Sequence, residues 1–198
     1  KYRQVTPAVR AGWLRRAADE IDKVKDHIAD ITMRALGKPR RACGVEAGRV
    51  SQLMRLCAEE LLRMEGEVLP LDALPMGARR FGFTRHHPHG VIAAFTPFNA
   101  PSNLLIQKVA PAIAMGNTVI VKPAFEGVGE ALLIANCFTK AGVPDGIINV
   151  IPCRRNVTPH LVGHPDVALV TLTGGTAAGN ALAKAAGAKP FVGELGGN

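Results

Sequence analysis

The sequence predicts an α/β fold: a doubly wound parallel sheet with helices on both faces, preceded by two long helices. Three observations predict it. From Gly90 onward, short apolar runs alternate with helix-length stretches. Strands that are apolar throughout belong to a parallel sheet covered on both faces. Before Gly90, apolar residues recur every three or four positions over two long stretches, as amphipathic helices require. Finally, 47% apolar residues in 198 are enough for a real core, and with aromatics at 5% that core is aliphatic.

The elements follow in order. Thr6-Pro7 is an N-cap and first-turn pair, and Val9, Trp13, Leu14, Ala17, Ile21, Val24, Ile28 and Ile31 mark one face of a helix to about Leu36. Gly37-Lys38-Pro39 breaks it. Val50, Leu53, Cys57, Leu61 and Leu62 mark a second helix ending near Glu65-Gly66. Pro70, Pro75 and Pro88 then interrupt the chain, and Phe81 and Phe83 alternate within an extended Arg79–His87 segment. Strands are expected at Gly90–Phe95, Thr118–Val121, Ile147–Ile151, Val167–Thr171 and Pro190–Glu194. Helices are expected near Asn103–Met115, Val128–Ala141 and Ala177–Ala186.

The net charge of +8 raises the question of nucleic acid. The basic residues are interleaved with acids on helix faces, without a long basic run, so no nucleic-acid partner is expected. No segment approaches the roughly 18 apolar residues of a membrane span, and no signal-peptide pattern opens the chain. Cys43, Cys57, Cys137 and Cys153 are scattered, with no CxxC and no His at ligand spacing. That usage predicts reduced thiols in a cytoplasmic protein and no metal site.

A doubly wound, Rossmann-like sheet places its ligands at the carboxyl ends of the strands. After the first strand, Thr96-Pro97-Phe98-Asn99-Ala100-Pro101 holds an amide between two prolines. A fixed carboxamide can donate to an oxyanion without adding charge; an Asn here is equally an ordinary turn residue. Lys122, ending the second strand, reaches a ribose or phosphate, or else is a solvated strand end. Thr173-Gly174-Gly175-Thr176-Ala177-Ala178-Gly179 opens a helix where glycines let backbone amides approach a pyrophosphate, although the spacing is not GxGxxG. Glu194-Leu195-Gly196-Gly197-Asn198 sets a carboxylate in glycine-rich backbone, as a general base or a plain loop residue.

Taken in order, these motifs resemble the aldehyde dehydrogenase superfamily over essentially the whole chain. Gly37-Lys38-Pro39, Pro97–Pro101, Gly116–Pro123, Ala141–Gly146, His164-Pro165-Asp166, Thr173–Thr176 and Glu194–Gly197 carry the resemblance, and Pro-Phe-Asn-Ala-Pro is similar to lactaldehyde- and semialdehyde-type members. The resemblance implies that Asn99 is the oxyanion-hole donor and Glu194 the base that activates water or thiol. It implies that Thr96, Pro97, Phe98, Lys122, Ala124, Phe125, Gly174, Gly175, Gly179, Leu195 and Gly196 border NAD or NADP. Lys122 would sit on the adenosine ribose and Gly174 and Gly175 by the pyrophosphate. The implied reaction takes an aldehyde to a carboxylate through a cysteine thiohemiacetal and thioester.

The implied organisation is a helical part of the cofactor domain over 1–77, an oligomerisation-hairpin segment over 78–89 and the Rossmann-like domain over 90–198. The catalytic domain is absent, and the full-length parent is expected to be a homo-oligomer. Three departures matter. The nucleophilic cysteine of the family lies downstream of Asn198, and none of the four cysteines stands in its place. Phe125 occupies a position where NAD-preferring members often carry a ribose-binding glutamate. Pro152-Cys153-Arg154 replaces a usual glycine after the strand and adds positive charge. A non-catalytic nucleotide-binding or assembly module is the competing reading, and Glu194 argues against a CoA-acylating relative.

Without its nucleophile the isolated chain is expected to show neither aldehyde oxidation nor esterase turnover. Turnover of a chromogenic ester that is lost on mutating Cys43, Cys57, Cys137 or Cys153 would contradict this.

Overall fold

The computed structural model describes residues 5–196. Two helices open it, α1 (Pro7–Leu36) and α2 (Arg40–Arg63). The Thr6 hydroxyl accepts from the Val9 N–H at one end of α1. At the other end Gly37 takes the left-handed conformation (φ 66°), and its N–H donates to Met33. That conformation suits glycine, and so the break falls at this residue.

A two-stranded antiparallel ribbon follows, β1 (Val68–Leu69) against β2 (Gly82–Phe83). Then come β3 (Val91–Thr96), α3 (Pro101–Ala114), β4 (Thr118–Pro123), α4 (Val128–Lys140), β5 (Ile148–Val150), α5 (Thr158–Gly163), β6 (Val167–Gly174), α6 (Thr176–Ala186) and β7 (Phe191–Leu195). The five long-range strands form one parallel sheet in the order β5-β4-β3-β6-β7. The chain winds outward from β3 through β4 to β5, then returns to β3's other side as β6. The topological switch point therefore lies between β3 and β6, where open α/β sheets bind ligands.

Both faces are covered. On one, Ile92, Ala94, Val119 and Val121 pack with α1, α2, α3 and α4 in the larger core. On the other, Ala93, Phe95, Val170 and Leu172 pack with Val162 of α5 and with Leu182 and Ala186 of α6. Two arginines of α1 fasten the outer helices. Arg10 Nε donates to the carbonyl of Ala114 (2.7 Å) and Arg16 Nε to that of Ala141 (2.9 Å), satisfying carbonyls at the C-termini of α3 and α4. The Asn117 side chain accepts from Gly90 N–H and donates to Ala112, tying the entrance of β3 to the end of α3.

The structure differs from expectation in the segment before Gly90. The extended Arg79–His87 run shrinks to the two strand residues Gly82 and Phe83. Arg79 takes a positive φ (63°), and beyond Phe83 the pairing closes with Thr84 bonded to Glu67 in both directions. One edge of this segment is paired by β1, which the prolines around it concealed, and among the described residues no strand joins its other edge. The ribbon stays outside the parallel sheet, with Phe81 and Phe83 exposed. Helix α5 was also not anticipated: six residues opening on Thr158-Pro159 are too few to show a periodicity.

One buried acid stands out in α4. Glu130 is fully buried, takes a hydrogen bond from Thr32 of α1, and keeps its second oxygen without a partner among the described residues. Burial pushes its pKa from 4.5 up to about 7. The Thr32 hydrogen bond and the Lys38 charge oppose the shift, and the Glu46 carboxylate adds to it. The folded chain thus holds a proton that the unfolded chain has released above about pH 4.5, and this contribution to stability is lost as pH rises through 7. Glu130→Gln keeps the neutral shape. It is expected to raise the melting temperature at pH 8, by at most about 3 kcal/mol of stability, with the gain vanishing towards pH 5. Thermal unfolding at the two pH values checks it.

Candidate functional site

The carboxyl ends of the strands line up the residues singled out by sequence. Parallel pairing sets Thr96 beside Pro123, Phe95 beside Lys122, Thr173 beside Glu194 and Gly174 beside Leu195. Lys122 and Glu194 stand three strands apart, about 14 Å at the usual strand spacing. Alternation then sorts the side chains. Phe95 belongs to the core under α5 and α6, so its neighbour Lys122 points to that face. Ala94 belongs to the core under α3, which sends Thr96 to that same α3 face, opposite Lys122. The site is therefore divided between the two faces of one sheet edge.

On the α3 face a polar cluster forms. Thr173 Oγ1 donates to Glu194 Oε2 at 2.6 Å. Glu194 Oε1 lies 3.5 Å from Lys108 Nζ, and that ammonium donates to Thr171 Oγ1 at 3.2 Å. Lys108 is almost wholly buried while Glu194 is half exposed, so the pair joins an interior cation to an accessible carboxylate. Burial pushes the Lys108 pKa down, with Glu194 opposing the shift. The cluster lies in an open groove of about 350 Å³ shared with Gln107, Ile92 and Val192. Thr96 is buried in the last position of β3, and its Oγ1 has no partner among the described residues. The next residues form the turn into α3: Pro97 half-buried, Phe98 and Asn99 exposed.

On the other face, Lys122 is half-buried, and its ammonium lies 5.8 Å from the centroid of the exposed Phe125 ring. Ala124, half-buried between them, donates its N–H to the Thr96 carbonyl. An open, mainly apolar groove of about 460 Å³ runs along this face, with Ile120, Ile151, Cys153, Leu161 and Val167 among its walls. Helix α6 begins at the switch point with Gly175 as its N-cap. No side chain caps this end, and a Cβ on Gly175 would meet nothing within 4 Å. Gly174 is less free, because a Cβ there would come within 3.3 Å of Leu172. Gly179 is buried in α6 beneath Leu195, whose methyl carbons would stand 2.5 Å from an added Cβ. Gly196 is exposed, and the Gly197 and Asn198 of the same motif lie outside the described residues.

None of the four cysteines joins this edge. Burial pushes the Cys57 and Cys137 thiols up, away from the reactive thiolate. Cys43 is buried between α1 and α2, and Cys153 lines the apolar groove. Lys108 escaped the reading of the sequence. Its signal was there: a lysine three residues after Leu105 and four before Ala112, on the buried stripe of α3.

The fold is a Rossmann-like parallel sheet whose carboxyl edge carries polar groups to either side of the switch point. The model of the aldehyde dehydrogenase family matches residues 1–198, and the chain belongs to that family. It is 34% identical to an NADP-dependent glyceraldehyde-3-phosphate dehydrogenase of Streptococcus equinus over 99% of this chain and 42% of the relative. It is 35% identical to aspartate-semialdehyde dehydrogenase 1 of Pseudomonas canavaninivorans over 96% of this chain and 40% of the relative. The NADP complex of the NADP-dependent glyceraldehyde-3-phosphate dehydrogenase of Bacillus halodurans superposes with a TM-score of 0.95 at 35% identity, covering 99% of this chain and 42% of that one. The chain spans about two fifths of the length of the curated relatives it matches.

The Lys108 charge costs stability at neutral pH, a cost that fades as pH climbs from its lowered folded pKa towards 10.5. Lys108→Met removes that cost together with the Thr171 and Glu194 contacts. It is expected to leave stability at pH 7 within about 1 kcal/mol of wild type. A loss beyond about 2 kcal/mol in denaturant titration would mean the contacts outweigh burial.

Proposed function

We propose that this chain is the cofactor half of an NAD(P)-dependent aldehyde dehydrogenase whose nucleophilic cysteine lies in a downstream segment. The alignment of polar groups along the carboxyl edge of the sheet carries the reading. A turn amide (Asn99), a lysine (Lys122), an open helix N-terminus (Gly175) and a braced carboxylate (Glu194) are spread along that one edge, on its two faces. The whole enzyme would convert an aldehyde and water to a carboxylate through a thiohemiacetal and thioester on that cysteine. Nucleotide-free assembly would need none of these groups.

The residues suit a dinucleotide. The uncapped amides of the first turn of α6 face open space above Gly175, where a pyrophosphate gains from both the free N–H groups and the helix dipole. Lys122, whose ammonium lies over the Phe125 ring, would hold the adenosine ribose. Pro97, Phe98, Ala124, Leu195 and Gly196 border the path between these points, and the Thr96 hydroxyl has hydrogen-bonding capacity to spare. Gly179 contributes by letting Leu195 close over α6. When bound, the nicotinamide supplies the two-electron acceptor. Asn99 would donate its carboxamide N–H to the oxyanion that forms as thiolate adds to the carbonyl. Glu194, held by Thr173 and Lys108, would take the proton of the attacking water.

The same reading assigns residues 78–89 to an oligomerising hairpin. The exposed Phe81 and Phe83, whose ring centroids lie 6.1 Å apart on the ribbon, support that assignment. Residues 1–77 then serve as a helical cover for the cofactor domain over 90–198.

Cofactor choice turns on Phe125. It offers neither hydrogen bonds to the ribose hydroxyls nor repulsion to a 2′-phosphate, and Lys122 with the exposed Arg154 and Arg155 supplies attraction. Fluorescence titration of the chain is expected to show NADPH bound at least as tightly as NADH. Phe125→Glu should shift the ratio of the two dissociation constants towards NADH by about ten-fold or more, as one charge-assisted contact implies. An unchanged ratio would remove position 125 from ribose recognition, and failure to bind either nucleotide would overturn the reading itself.

A further inference from the structure

The turn that carries Asn99 is held by a residue far outside the sheet edge. Lys38, in the break between α1 and α2, donates from Nζ to the Asn99 main-chain oxygen at 2.9 Å, across 61 positions of sequence. The same ammonium is paired with Glu46 of α2, a carboxylate that is nearly buried. Among the described residues this is the only hydrogen bond that reaches residues 97–99.

Little else can hold the turn. Pro97 and Pro101 have no N–H to donate, and Ala100, the N-cap of α3, offers no side-chain cap. The Asn99 oxygen belongs to the peptide plane that joins Asn99 to Ala100, so fixing it sets ψ of Asn99. With ψ set, the direction of the Asn99 side chain follows from its rotamer. Glu46 keeps the ammonium from swinging to solvent. Beneath it, Glu130 and Thr32 link α4 to α1, so the strut stands on three helices.

We infer that Lys38, clamped by Glu46, is a positioning residue that aims the Asn99 carboxamide through its own peptide plane. The inference rests on the reading of Asn99 as oxyanion donor. Lys38 touches no reacting atom. Its contribution is the turn's geometry, and a displacement of the order of 1 Å at such a donor is enough to slow the chemical step.

Amide-resolved nuclear magnetic resonance of the full chain, and kinetics of the longer enzyme that carries it, test this together. In Lys38→Met the Ala100 amide nitrogen resonance is expected to move, because the carbonyl attached to it loses its donor, while Lys38→Arg keeps it in place. In the longer enzyme Lys38→Met should lower kcat about ten-fold with the cofactor KM within about two-fold, and Lys38→Arg should restore most of the loss. Asn99→Ala should lower kcat by about a hundred-fold or more, and adding Lys38→Met to it should cost less than about two-fold further, because both act through one group.

An unmoved Ala100 resonance in Lys38→Met overturns the positioning. So does a ten-fold loss that persists in the Asn99→Ala background, which would make the lysine a plain stabiliser of the α1–α2 break. Asn99→Ala without effect on kcat overturns the donor reading instead, and the resonance then reports the strut on its own. Should Lys38→Met fail to fold, Glu46→Gln carries the same test: it frees the ammonium and is expected to move the Ala100 resonance.

Discussion

The constraint on which the molecule depends is that strand β3 must be buried on both faces while its carboxyl end stays open. Ile92 and Ala94 turn into the core of α1 to α4, Ala93 and Phe95 into that of α5 and α6, and Val91 alone at its entrance is half-buried. A strand without a polar face has no place at an edge, so β4 and β6 must flank it. Winding β4 and β5 to one side and β6 and β7 to the other then creates the switch point at Thr96 and Gly174. The site is thus a by-product of how an apolar strand is covered.

Covering that strand commits polar chain elsewhere. At the C-termini of helices α3 and α4 the turns that follow satisfy most of the last carbonyls, and Arg10 and Arg16 reach from α1 to those of Ala114 and Ala141. Such groups cost more unpaired than they gain when paired, so α1 is tied to both helices by polar as well as apolar contacts. The arrangement puts the α1–α2 break against the turn before α3. That is why a lysine near the N-terminus can reach the Asn99 carbonyl at all.

The buried ionisable groups sit on seams rather than at random. Glu130 lies where α4 meets α1, Glu46 where α2 meets the Lys38 break, and Lys108 where α3 meets β6 and β7. Each has at least one hydrogen-bonding partner and each keeps a compromise: an unpartnered oxygen on Glu130 and Glu46, a lowered pKa for Lys108. A core of that size made only of aliphatic residues would tolerate several packings. Polar groups that are satisfied in one geometry only favour one of them, and here that geometry also aligns Thr171, Thr173 and Glu194 on one face of the sheet.

The sequence by itself determined the order and type of nearly every long element, because the 3.6-residue spacing of helices and the unbroken apolar runs of buried parallel strands are both written in the placing of apolar residues. Thr6, Pro7 and Gly37 likewise bounded α1 from local chemistry alone. It also marked Asn99, Lys122, the Gly174-Gly175 turn and Glu194, since residues that end apolar strands stand at the carboxyl edge wherever the sheet lies. Short pieces such as β1 and α5 escaped, for two and six residues are too few for a period to repeat. Only the tertiary structure decided which face each side chain takes, placing Lys122 under α5 and α6 and Glu194 under α3. It alone brought Lys108 to Glu194 and Lys38 to Asn99, partners 86 and 61 positions apart. Spacing along the chain carries no information about such contacts, because they are made by how helices cross the sheet.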